Sequence, residues 1–163
     1  MTTKADISTV ANLEARLDAL LQAMTLEEQV SLLAGASFWL TVPVERLDIP
    51  AIKVSDGPNG ARGGGALVGG VPAACFPVGI SLASTWNTAL VEQVGQALGE
   101  EAQSKGARVL LGPTVNIHRS TLNGRNFECY SEDPYLSARM AVAYITGLQS
   151  QNVGATVKHF IGN

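Results

Sequence analysis

Short apolar runs and helical stripes alternate along most of this chain. Leu13, Leu17, Leu20, Leu21 and Met24 fall at i, i+4, i+7, i+8 and i+11, which places them on one face of a helix. Thr25 followed by Glu28 forms a capping box ahead of Leu26, Val30 and Leu33, and Gly35 stands where that second helix would stop. The rhythm then changes. Ile52-Lys53-Val54 reads as a first strand, Ile80-Ser81-Leu82-Ala83 as a second, Val109-Leu110-Leu111 as a third, and the run from Ala155 to Phe160 as a fourth. Asn87 is placed to cap a helix carrying Leu90, Val91, Val94 and Leu98 and closing near Gly106. Asp133-Pro134 supplies an N-cap and N1 pair for another helix, with Leu136, Met140, Ala143, Tyr144 and Leu148 along one side. Strands and helices at this spacing predict an α/β fold of about four parallel strands in right-handed βαβ units, preceded by two N-terminal helices.

The 163 residues suffice for one domain with a core, and 46% hydrophobic with 15% charged residues is a globular balance. Eleven basic against 14 acidic side chains, with no basic run, give no electrostatic footprint for nucleic acid or anionic membrane. The N-terminal stretch has no apolar segment of the secretory kind, and no run reaches the length of a membrane span, so a cytoplasmic protein is expected. Cys75 and Cys129 lack the paired spacing of a zinc or redox site and are read as buried thiols. Neither a metal nor an organic cofactor is expected. The glycine-rich stretch Gly63 to Gly70 lacks the Gly-Lys-Ser/Thr ending of a phosphate cradle and reads as a flexible surface loop.

The polar residues gather where the strands end. Asp56 follows the first strand, Asn116 and Arg125 follow the third, and Lys158 with His159 close the fourth. In parallel α/β folds that edge is where binding and catalytic groups collect. Each has a plainer reading: Asp56-Gly57 and Asn123-Gly124-Arg125 are also turn sequences, His118 a solvated or core histidine, and Glu128, Glu132 and Asp133 partners of nearby arginines or caps. Lys158 and His159 shift the balance, because two ionisable groups in a buried strand need a partner or a ligand. Being sequential, both can grip one ligand only if the backbone leaves regular β geometry there. An aspartate that accepts from adjacent hydroxyls, beside cationic donors, suits a polyhydroxylated guest such as a sugar.

Five motifs carry a resemblance: SDGPNGAR (Ser55 to Arg62), CFPVGISLASTWN (Cys75 to Asn87), GPTVNIHR (Gly112 to Arg119), GRNFECYSEDPYL (Gly124 to Leu136) and KHFIGN (Lys158 to Asn163). From about residue 15 onward the chain resembles the N-terminal domain of family-three glycoside hydrolases, β-glucosidase branch. The resemblance implies that residues 1–163 form the N-terminal part of a (β/α)8 TIM-like barrel, incomplete, with the remaining strands and a second domain lying elsewhere. It implies that Asp56, Arg62, Arg125, Lys158 and His159 bind substrate, with Glu128 as support. It implies a retaining β-glucosidase acting on terminal non-reducing β-D-glucosyl residues of small or oligosaccharide β-glucosides. Such hydrolysis needs two carboxyl groups roughly 5–5.5 Å apart. The family's nucleophile sits in a Ser-Asp-Trp context on a later strand, and no Ser-Asp-Trp occurs here, so both catalytic carboxylates are expected beyond residue 163 and the fragment is expected to be inactive. Three alternatives stay open: a β-xylosidase of the same family, a lyase barrel using Lys158 as a Schiff-base lysine, and a non-catalytic sugar-binding half-barrel.

Overall fold

The computed structural model describes residues 7–64 and 71–161. Most of the Gly63–Gly70 loop and the closing Gly162-Asn163 of the last motif lie outside the described residues. The chain divides into two compact units, Met1–Ile52 and Lys53–Asn163.

The first unit holds helices α1 (Ile7–Ala23) and α2 (Leu26–Ser31). The capping box forms as the sequence predicts: Thr25 Oγ1 accepts from Glu28 N–H at 3.2 Å and Glu28 Oε2 accepts from Thr25 N–H at 2.9 Å. Helix α2 ends before Gly35, which instead bridges to Thr41 in antiparallel fashion. Leu13, Leu17, Leu21, Leu26 and Val30 remain exposed, so the apolar period foretold the helices without foretelling cover for their faces.

The second unit is a parallel sheet backed by helices. Strands β1 (Val54–Asp56), β2 (Val109–Leu111) and β3 (Gly154–Ala155) pair in the order β1-β2-β3, with Val54 opposite Val109, Asp56 opposite Leu111, and Val109 opposite Gly154. The helices are α3 (Gly79–Ala83), α4 (Thr88–Ser104) and α5 (Pro134–Ser150). Asn87 Oδ1 caps α4 by accepting from Leu90 N–H, and Asp133 Oδ1 caps α5 by accepting from Tyr135 N–H. Two expectations need correction. Ile80–Ala83 is helical, so among the described residues three strands rather than four pair in the sheet; a four-residue apolar run cannot be told from one helical turn by period alone. Its exposed Ile80 beside buried Leu82 and Ala83 fits that turn. The final run is regular strand only at Gly154–Ala155, and Lys158 rejoins the sheet through an isolated parallel bridge to Thr114.

The core is built from Val91, Leu98, Leu110, Met140, Tyr144, Leu148 and Val153. Helices α4 and α5 approach backbone to backbone at two glycines. A Cβ on Gly95 would lie 2.4 Å from Tyr144 O, and one on Gly147 would lie 2.0 Å from Glu92 O. This packing delivers Tyr144 to the sheet's C-terminal edge, where its hydroxyl donates to Pro58 O at 3.0 Å and so fixes the loop that follows Asp56.

Candidate functional site

The loop after β1 folds back on itself. Gly57 adopts φ +113°, Arg62 N–H donates to Asp56 O at 2.9 Å, and Gly63 N–H donates to the buried Ser55 Oγ at 2.8 Å. The returning chain is stapled from below by Glu101 of α4, whose carboxylate accepts from Ala61 N–H at 2.8 Å and Ala74 N–H at 2.7 Å and pairs with Lys105 at 3.2 Å. Asp56 is thereby held at the strand's end with its carboxylate toward the β3 side.

Lys158 meets it there. Its ammonium donates to Asp56 Oδ1 at 2.8 Å, with the lysine side chain 14% and the aspartate 40% exposed. Burial alone would raise the Asp56 carboxyl; the hydrogen bond and charge of Lys158, the Gly57 N–H and the Arg62 charge outweigh it and hold the group below the ordinary aspartate range.

Arg125 arrives from the β2–α5 connection. Asn123 Oδ1 accepts from Arg125 N–H at 3.1 Å, so the turn reading of Asn123-Gly124-Arg125 holds. A 3₁₀ turn, Asn126–Glu128, follows, and Gly79 of α3 sits so close beneath it that a Cβ would lie 2.5 Å from Glu128 O. Arg125 Nε pairs with Glu128 Oε1 and its Nη2 donates to Glu128 Oε2 at 2.9 Å. These bonds hold the Glu128 carboxyl low against its partial burial, with the charges of Arg125 and Lys158 adding to the effect. Thr114 Oγ1, buried beside β2, donates to Glu128 Oε2 at 3.4 Å.

Asp56, Asn59, Cys75, Arg125, Phe127, Glu128 and Lys158 line one cavity of about 420 Å³, within the range of small-ligand sites. His159 does not line it. Lys158 and His159 together border a second, more apolar cavity of about 490 Å³ with Val115, Ile117, Val157 and Phe160. The irregular backbone after Ala155 is what lets Lys158 reach Asp56 while His159 turns to Arg125, whose Nη2 lies 3.1 Å from His159 Nε2. Burial first, then the charges of Arg125 and Lys158, push the imidazole below the ordinary histidine range against the pull of Glu128 and Asp56. Arg62 is not among the residues lining the first cavity and reaches Asp56 by its charge and its backbone.

Of the five residues expected to bind, three therefore share a cavity. Glu128 pairs with Arg125, as its reading as a partner of a nearby arginine expects, whereas sequence reasoning passed over Phe127, whose exposed ring forms part of the wall. It also misjudged Cys75, which is exposed, although Cys129 is buried. His118 Nε2 and Asn126 Oδ1 are buried with no hydrogen-bond partner among the described residues. Among those residues no group of three His, Cys, Asp or Glu is placed to hold a metal, and no helix is long and apolar enough to cross a membrane.

Parallel strands joined through helices, with an ion-paired aspartate and a carboxylate-clamped arginine at their C-terminal edge, form part of an α/β barrel with a polar cavity at that edge. Residues 16–163 match the glycosyl hydrolase family 3 N-terminal domain, and the chain belongs to that family. It is 69% identical over 147 residues to a beta-glucosidase of Rhizobium radiobacter, covering 90% of this chain and 18% of that protein. Beta-glucosidase B of Emericella nidulans is 52% identical, with 91% of this chain and 18% of that protein covered. Among solved structures, the beta-glucosidase from Kluyveromyces marxianus in complex with glucose superposes with a TM-score of 0.86 at 46% identity, over 90% of this chain and 17% of that one. Beta-glucosidase 3B from Thermotoga neapolitana, also solved with glucose, gives 0.83 at 44% identity, over 90% and 23%. The chain thus spans about a fifth of the length of these relatives.

Proposed function

We propose that this stretch is the sugar-gripping wall of the glucose subsite of a β-glucosidase acting on terminal non-reducing β-D-glucosyl residues. The observation that carries the reading is the cavity in which the Asp56–Lys158 pair stands beside the Arg125–Glu128 pair. The Asp56 carboxylate keeps lone pairs for hydroxyls beyond those taken by Lys158 and the Gly57 N–H, Lys158 and Arg125 supply charged donors, and the Phe127 ring offers an apolar surface for the face of a pyranose. Arg62 supports the aspartate electrostatically, and His159 is tied to the wall through Arg125. The likeness to relatives named beta-glucosidase and to structures solved with glucose supports a glucoside over a xyloside.

In this reading Asp56 and Glu128 are committed to cations, and the nucleophile and acid/base of a retaining double displacement, roughly 5–5.5 Å apart, come from outside residues 1–163. Residues 1–163 then bind glucose without turning over a glucoside. Titrating the isotope-labelled chain with glucose should shift the resonances of Asp56, Arg125 and Lys158, and an aryl β-glucoside should stay intact. Robust hydrolysis by residues 1–163 would overturn the assignment of roles, and absence of any glucose-dependent shift at millimolar sugar would overturn the subsite. Borohydride trapping with a carbonyl substrate separates this reading from a Schiff-base role for Lys158.

A further inference from the structure

One side chain, Asn116, meets both the backbone and the ring of His159. His159 N–H donates to Asn116 Oδ1 at 2.9 Å, Asn116 Nδ2 donates to His159 O at 3.3 Å, and His159 Nδ1 lies 3.3 Å from Asn116 Oδ1. The backbone partners settle which end of the amide is which, because a peptide N–H can only donate and a peptide carbonyl can only accept. With the amide oxygen facing the ring, Nδ1 has to carry the proton. At the other end of the ring Nε2 faces Arg125 Nη2 at 3.1 Å, and a guanidinium has no acceptor, so Nε2 has to offer its lone pair. Both ends demand the same state, a neutral imidazole protonated on Nδ1.

We propose that Asn116 is a positioning residue for the cavity: by fixing His159 as the neutral Nδ1–H tautomer it makes Nε2 a second anchor for the Arg125 guanidinium, alongside Glu128, and aims the remaining Arg125 donors at the bound ligand. Only the last clause rests on the sugar-binding reading. In this arrangement His159 also acts through Arg125, in addition to the binding role the family resemblance implies. The relay runs from Asn116 through His159 and Arg125 to Glu128 and Thr114, joining residues of the β2–α5 connection to the segment after β3. An imidazolium would place an N–H against the guanidinium. Of the charged groups around the ring, Arg125 and Lys158 oppose protonation while Glu128 and Asp56 favour it.

The test reads the ring directly. Nitrogen-15 spectra of the ring-labelled chain, with His159 assigned by comparison with a His118→Gln variant, should show a protonated Nδ1 and an unprotonated Nε2 near neutral pH. A dominant Nε2–H tautomer in the unaltered chain would overturn the proposal without any variant. Asn116→Asp should keep that tautomer at high pH but raise the pH at which His159 protonates, since a carboxylate then faces Nδ1. In Asn116→Leu only Arg125 still opposes Nε2–H, so the Nε2–H population should rise above its level in the unaltered chain, and no rise in a folded Asn116→Leu chain would also overturn the relay. Where glucose binding is measurable, Asn116→Leu should weaken it roughly tenfold. In Asn116→Asp, affinity should fall as pH drops through the raised midpoint, which a merely structural role would not produce. The expected ring states without any glucose binding would leave the relay standing and sink the subsite.

Discussion

Asp56→Asn tests the pair on which the cavity depends. At a separation of 2.8 Å, opposite unit charges attract by about 6 kcal/mol at an effective dielectric constant of about 20 and by about 1.5 kcal/mol in water. The Asp56 side chain is 40% exposed, so solvent screening pulls the value toward the lower figure, about 1.5–2 kcal/mol. Asparagine keeps an acceptor for Lys158 and removes the charge, which makes the change a test of electrostatics more than of shape. Denaturant unfolding of the wild type, Asp56→Asn, Lys158→Met and the double variant forms a cycle whose coupling energy should fall in that range. The pH dependence gives a second arm. Because the folded-state carboxyl is held below its ordinary range, its contribution is complete above that range and is lost as pH falls through the lowered value. Wild type and Asp56→Asn should therefore differ by a constant amount near neutrality and converge only in strong acid. A coupling below about 0.5 kcal/mol, or a gap that is the same at every pH, would show that the pair contributes no charge-dependent energy.

Three further substitutions probe how the site is held. Glu101→Ala strips the acceptor from Ala61 N–H and Ala74 N–H and leaves Lys105 without its carboxylate, and should lower unfolding free energy by about 2–3 kcal/mol; a change under 0.5 kcal/mol would mean the staple is dispensable. Gly147→Ala places a methyl 2.0 Å from Glu92 O by the unrelaxed geometry and should cost about 1–3 kcal/mol, read as a shift in the denaturant midpoint at constant slope. Arg125→Lys keeps the charge but cannot bond Glu128 through two nitrogens and His159 through one of them, so glucose affinity should fall roughly tenfold with stability less affected; equal affinity would remove the planar fork from the argument.

Much of the fold was legible because its signals are local. Thr25 with Glu28, Asn87, and Asp133 with Pro134 each mark a helix start within four residues, and each caps the helix it announces. The error at Ile80–Ala83 has the same origin: four residues carry too little period to separate a strand from a turn of helix. What decides it is remote, the close approach of Gly79 to the Glu128 backbone and the burial of Leu82 and Ala83 in the core. The apolar faces of α1 and α2 teach the complementary point, since periodicity specifies a face and says nothing about what covers it.

The site divides along the same line. That Asp56, Arg125 and Lys158 belong to one edge follows from their positions after strands of a parallel sheet, which is a property of topology and can be read from spacing. Which of them touch is a property of register. Asp56 stands opposite Leu111, and Lys158 bridges to Thr114, three residues further along the β2 strand's line, so the lysine projects past the sheet's end and across to the aspartate. A slip of one residue in that pairing would carry Lys158 one residue along this line and away from Asp56. Asn116 bonds the peptide of His159 as well as its ring, so the same amide that fixes the tautomer also fixes where the chain leaves the sheet. Register is also held by the peptide bonds from Lys158 N–H to Pro113 O and from Val115 N–H to Lys158 O, while the ring rests on Asn116, and neither set of partners can be read from the spacing of the motifs.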